Sequence, residues 1–189
     1  MILVDRDILV AVQTGDIVID PFDPSSLGTN SYDVHLGDTL LTYKELINDR
    51  LYEPLPLDVR QARETVPHKI EDKGFVLKPG ELYLGSTTEY TESHRHVPFL
   101  EGKSSLGRLG MSIHVTAGKG DIGFCNHWTM EITVVKPLRV YAGMPVGQLL
   151  WFTPSAVPLM MYFNKPNAKY TIKDQKPQAS EMHRNFRKA

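Results

Sequence analysis

Residues 101–118 read EGKSSLGRLGMSIHVTAG, and Glu131 follows within the apolar stretch HWTMEITVV. The first string sets Lys103, Ser104, Ser105 and Arg108 on a glycine-punctuated turn. Hydroxyls and exposed turn amides donate to phosphate oxygens while Lys and Arg supply charge, so this turn suits a phosphate ester. If 104–110 forms a helical turn, its N-terminus adds a favourable dipole for the anion. The plain alternative is a solvated helix start capped by Ser104. The spacing G-x-x-x-x-G-K-[ST] of a Walker phosphate loop is missing. Glu131 is a lone carboxylate between Met130 and Ile132. Alternation along a strand turns it either to solvent or into a closed pocket. In a pocket, desolvation raises its pKa toward a value useful for proton transfer. Asp121, in AGKGDIGF, is either a turn residue or a partner for a sugar hydroxyl or a water. A phosphate-binding turn plus one acid in an apolar strand points to an enzyme acting on a nucleotide.

Other arrangements are weaker. His94 and His96 form an H-x-H pair with no third ligand at a recognisable spacing, which reads as a solvated loop. A zinc nucleotide deaminase needs H-x-E and P-C-x-x-C, and one cysteine, Cys125, excludes that signature. Nothing near Cys125 supports a nucleophile. His114 reads as a packed imidazole on a strand. No nucleophile elbow is present to complete a Ser-His-Asp triad.

The elements that must hold these residues are mostly short strands. Asp5 caps a helix over Arg6–Gln13, which Gly15 ends. Strands are expected at Ile17–Asp20, Ser31–Leu36, Val97–Leu100, Ser112–Thr116, Trp128–Val135, Leu138–Tyr141 and Val146–Phe152. Phe75–Leu77 and Glu81–Thr88, joined by Pro79-Gly80, read as a hairpin. Residues 44–73 read as a long excursion. Strands at this spacing predict a mainly β barrel or jelly-roll-like sandwich. The chain has 189 residues, which fits one domain with a tail: 1–163 as the β domain and 164–189 as a polar, basic terminus. That tail is either frayed or a lid that closes over a bound anion with Lys169 and Tyr170. The formal net charge of −1 gives no reason to expect a nucleic-acid or membrane-surface partner. The lone cysteine and the lack of a signal-like start or membrane-length apolar run read as cytoplasmic.

Several strings resemble the dCTP deaminase branch of the dUTPase-like superfamily. These are EGKSSLGRLG, HVTAG, D-x-G-F at Asp121–Phe124, T-x-E at Thr129–Glu131 and GMPVGQL, in family order. MILVDRDI, IDPF, SYDVHLGD and KPGELYLGSTTEY extend the likeness upstream, and AKY near Lys169 extends it into the tail. The resemblance implies a distorted β-barrel or jelly-roll subunit of dUTPase type, with a short N-terminal helix and a tail lid. It implies a homotrimer with shared active sites, metal-free deamination of dCTP at cytosine C4 without zinc, and Mg²⁺ bound only through the triphosphate. Carried over, Glu131 would be the acid/base, with Ser104 and Arg108 positioning the water. Lys103, Ser105 and the backbone of Leu106 and Gly107 would hold phosphates. Asp121 would meet the deoxyribose 3′-hydroxyl, and Thr129 and Met130 would present backbone to the base. Tyr162 and Lys169 would close over the triphosphate, joined by Gln175 or, at the usual spacing, Lys173. dTTP is the implied inhibitor.

The chain also departs from the family pattern. Gly120-Asp121-Ile122-Gly123 stands where I-D-P-G is usual, Asn126 where glycine is common, and Lys119 where one branch has an aromatic and another an arginine. The leading expectation is deamination of dCTP to dUTP and ammonia. The alternatives are a bifunctional enzyme releasing dUMP and pyrophosphate, in which Asp121 orients the second water, a plain dUTPase, or a non-catalytic nucleotide-binding regulator.

Overall fold

The computed structural model describes residues 1–48 and 53–186. It opens with helix α1 (Asp5–Thr14). Val4, not Asp5, is the cap: its N–H donates to the Asp7 carboxylate at 3.2 Å. Asp5 and Asp7 then lie in the first turn, where carboxylates complement the positive end of the helix. Gly15 ends the helix in the left-handed conformation, with φ 76°.

The strands follow in order: β1 (Ile17–Asp20), β2 (Tyr32–Tyr43), β3 (Ile47–Asn48), β4 (Glu53–Pro54), β5 (Thr65–Lys69), β6 (Phe75–Leu77), β7 (Tyr83–Ser93) and β8 (Val97–Gly102). A single helical turn, α2 (Ser104–Gly107), precedes β9 (Met111–Ser112), β10 (Cys125–Val134), β11 (Leu138–Val140) and β12 (Pro145–Phe152). The large sheet runs β8-β12-β2-β7-β10-β9, with β1 added to β7 and β5 added to β2. The expected mainly β, barrel-like fold is what the chain adopts. No helix among the described residues is long and apolar enough to cross a membrane.

Three further local expectations need correction. The predicted hairpin does not form: β6 pairs with β11, opposite Leu138 and Val140. Leu77 and Val140 are fully buried, so these two short strands meet over the core rather than with their sequence neighbours. The strand expected over Ser112–Thr116 stops at Ser112, whose partner is Thr133 near the end of β10. Ile113 then turns inward at 3% exposure and takes the chain off the sheet. Ser104 does not cap α2; Lys103 is the N-cap and Ser104 is already helical. The 44–73 excursion holds a small β3–β4 ribbon, and β5 pairs Thr65–Lys69 with Tyr43–Thr39.

The central element is β10, which alternates between core and open face at every residue. Trp128, Met130, Ile132 and Val134 point inward, among Tyr32, Leu36, Leu149 and Trp151, while the buried Asn126 lies under the C-terminal segment. Cys125, His127, Thr129 and Glu131 share the other face. Period-two alternation is thus what puts Glu131 and Thr129 on the same side.

Candidate active site

That open face forms the floor of a cavity of about 740 Å³, within the size range of small-molecule sites. Glu131, Thr129, His127, Asp121, Phe124, Lys119, Lys165, Lys169, Tyr162, Tyr170 and Gln178 line it. Glu131 therefore faces an open cavity rather than a closed pocket, its side chain 42% exposed, with Leu82 and Leu84 in the same wall. Leu84 is also its cross-strand partner on β7.

One Glu131 oxygen is bonded to Nδ1 of His114. The His114 side chain is only 7% exposed against 42% for Glu131. The imidazole thus forms a buried backstop that fixes the carboxylate, while the rest of the acid stays open to the cavity. Nε2 of His114 is buried with no partner among the described residues.

Asp121 accepts from Nζ of Lys119 at 2.8 Å and lies 3.5 Å from Nζ of Lys165. The Lys119 hydrogen bond is the main reason its carboxyl is held below the ordinary carboxylate range, with burial opposing and Lys165 assisting. The loop is kept in place by a close approach to the tail. Gly123 has φ 87°, and a Cβ there would meet Met161 Cβ at 2.8 Å and Tyr162 N at 2.9 Å. Gly123 therefore serves both the turn and the contact.

The tail lies across this cavity. Phe124 packs between Trp128 and Tyr162, with ring centroids 4.9 and 5.9 Å away. The Tyr162 hydroxyl accepts from the N–H groups of Lys169 and Tyr170. Asn126, buried at 1% exposure, donates to the carbonyls of Tyr170 and Ile172 at 3.2 and 2.9 Å. Gln178 N–H donates to Thr129 Oγ1 at 3.0 Å, and Ser180 N–H to the Tyr43 hydroxyl at 2.9 Å. Burial, eased by the Glu181 N–H, pushes the Tyr170 hydroxyl up. Over its described residues the tail is docked rather than frayed.

Of the residues singled out from sequence, Glu131, Asp121, Thr129, Tyr162 and Lys169 meet in this cavity. Met130 lies beneath it with its side chain wholly in the core. Gln175 is exposed and lies outside the lining, and Gln178 is the tail glutamine that enters it. Lys173 reaches Glu92 instead, at 3.4 Å. The signature turn stands apart. Lys103, Ser104 and Gly107 line a second cavity of about 380 Å³, which touches the first only at His114. Ser104, Ser105 and Arg108 are exposed, Leu106 is buried, and Lys103 is paired with Asp33 of β2 at 2.6 Å. One chain therefore does not unite Ser104 and Arg108 with Glu131.

Sequence reasoning missed His114, Lys165, Asn126 and Gln178 as parts of the cavity. HVTAG and the unusual Asn126 were visible signals, but a non-local hydrogen bond has no sequence period to betray it. His94 and His96 do not act as a pair: His94 bonds Glu92, while Nδ1 of His96 is buried without a partner among the described residues.

Comparison with known proteins supplies a family. The model of the dCTP deaminase-like family matches residues 2–153. The curated "dCTP deaminase, dUMP-forming" of Cytophaga hutchinsonii is 43% identical over 173 residues, covering 92% of each chain. Its counterpart in Leptospira biflexa is 46% identical over 153 residues, covering 81% of this chain and 82% of the relative. Among solved structures, 2′-deoxycytidine 5′-triphosphate deaminase from Agrobacterium tumefaciens superposes with a TM-score of 0.59 at 19% identity. That match covers 81% of this chain and 48% of the other, a likeness of fold.

Proposed function

The chain belongs to the dCTP deaminase-like family, and from that premise we propose that it converts dCTP to dUMP, ammonia and pyrophosphate at one site. One observation carries this reading: a single cavity holds Glu131 beside an apolar wall together with Lys119, Lys165 and Lys169. That combination suits a neutral base and an anionic triphosphate in the same ligand. The names of the relatives favour dUMP over dUTP as the product. The leading expectation from sequence, release of dUTP, gives way to its bifunctional alternative.

Neutral cytosine is a poor electrophile, so its N3 must gain a proton as water loses one. Water beside C4 gives a proton to Glu131 while its oxygen bonds to carbon, and Glu131 returns the proton to N3. Glu131 then carries the proton of the C4 hydroxyl to the amino nitrogen, the C4–N4 bond breaks, ammonia departs, and C4 keeps its oxygen as a carbonyl. A carboxylate alternating between base and acid contributes ~10²–10⁴-fold. His114 holds that carboxylate in one orientation, which adds the advantage of a preorganised group.

In the second step, water bonds to the α-phosphorus and the bond to the bridging oxygen breaks, so pyrophosphate leaves. Asp121, whose carboxyl Lys119 holds below the ordinary carboxylate range, would orient that water. The carboxylates lining the cavity are already engaged, Glu131 by His114 and Asp121 by two lysines. As the family resemblance implies, Mg²⁺ would be carried by the triphosphate and would neutralise charge on the leaving pyrophosphate, with Lys119, Lys165 and Lys169 facing it from the cavity wall.

Ser104 and Arg108 are exposed on their own chain, and we assign them to a cavity of a second copy in a homotrimer with shared sites. Incubating the protein with dCTP and Mg²⁺ and resolving the nucleotides by anion exchange tests the proposal. Stoichiometric dUMP and pyrophosphate are expected. Accumulating dUTP would restrict the site to deamination, and unchanged dCTP would overturn the reading.

A further inference from the structure

At the far end of the β10 face from Glu131 lies a cluster that the proposed reaction does not use. We propose that Glu92, His94 and Cys125 form a binding site for a single divalent cation of the zinc class. Cys125 and Glu92 are direct cross-strand partners on β10 and β7, and His94 follows two residues after Glu92. One donor atom from each of the three lies within 4.8 Å of the others. Oε2 of Glu92 is 2.8 Å from Nε2 of His94. A tetrahedral zinc with bonds of about 2.0–2.3 Å separates its donors by roughly 3.3–3.7 Å. The Glu–His pair therefore needs to open slightly and Sγ to approach by about an ångström, within reach of rotamer adjustment.

The donor set is selective. A thiol, an imidazole and a carboxylate together suit zinc or cobalt, whereas magnesium and calcium prefer oxygen alone. The other carboxylate oxygen already has its support. Oε1 of Glu92 accepts from the Tyr90 hydroxyl at 2.5 Å and lies 3.4 Å from Nζ of Lys173. Such outer hydrogen bonds orient a ligating carboxylate. The cation takes Oε2 and leaves Oε1 to Tyr90 and Lys173.

Binding forms the Sγ–metal bond and releases the Cys125 thiol proton to solvent. Without metal, burial and then the nearby Glu92 push that thiol up to about 11, so uptake weakens as pH falls. The three residues do not line the Glu131 cavity. Cys125 stands six positions before Glu131 on β10, roughly 20 Å at strand rise. Deamination at Glu131 is therefore independent of this cation.

The test uses the tag-free full chain, stripped with a chelator and titrated with Co²⁺ and then Zn²⁺. Cys125 is the chain's one cysteine, so a thiolate-to-cobalt charge-transfer band reports this site alone. The expected band saturates at one equivalent per chain and is bleached by Zn²⁺. It is absent in Cys125→Ser, and in His94→Gln the affinity falls at least about tenfold, as loss of one of three donors requires. Absence of the band in the wild-type protein overturns the proposal whatever the variants do, as does a band that persists in a folded Cys125→Ser protein.

Discussion

Glu131 and Asp121 are both carboxylates of the same cavity, yet their surroundings differ in the way the two proposed tasks require. Glu131 has a histidine at its back and leucines beside it, and Asp121 lies between two lysines. Glu131→Gln keeps the shape and removes the proton carrier. Ammonia release should fall by at least ~10²-fold while equilibrium binding of dCTP persists, and normal turnover would remove Glu131 from its role. At His96, burial lowers the imidazole pKa from its ordinary value. Folding therefore favours the neutral ring, and the unfolded chain takes up the proton more readily below about pH 6.5. Stability should be complete above that pH and decline as pH falls through the folded-state value. Urea midpoints at pH 7.5 and 5.5 should show this slope, and His96→Asn should flatten it.

Among the elements, the tail and the Gly120–Gly123 loop act together. Tyr162 N–H donates to the Ile122 carbonyl at 2.9 Å, and the Tyr162 hydroxyl gathers the following turn. Truncation after Asn164 removes Lys165, Lys169, Tyr170 and Gln178 from the cavity. KM for dCTP should rise about tenfold or more, the loss of at least one charge-assisted hydrogen bond, and initial-rate kinetics would expose an unchanged KM. Gly123→Ala places a methyl group on Met161 and Tyr162 at a positive φ. A destabilisation of about 1–3 kcal/mol is expected, readable in thermal unfolding together with a raised KM.

For the whole molecule, the proposed sharing of sites between copies, which rests on the separation of the signature turn from Glu131, is open to a direct test. Glu131→Gln and Arg108→Ala proteins should each be inactive alone. Refolded together, they should regain about a quarter of wild-type activity, because random assembly pairs an intact Glu131 with an intact neighbouring Arg108 in that share of shared sites. Failure of complementation between two folded variants would place each site within one chain.

Much of this was legible from residue types. The alternation in CNHWTMEITV sets which side chains of β10 face the core, because successive strand residues point to opposite sides. Gly15 ends the helix because only its backbone relaxes into the left-handed region. The strings around Ser104, Asp121 and Glu131 carried the family resemblance that the comparisons bear out. Tertiary structure alone decided that β6 joins β11 rather than β7, since burial of Leu77 and Val140 outweighs the short loop between neighbours. It alone set His114 behind Glu131, Asn126 beneath the tail, and Cys125 beside Glu92 and His94. Local preference acts over a few residues, whereas these contacts join strands and loops far apart in the chain and exist only once the sheet has closed around its core.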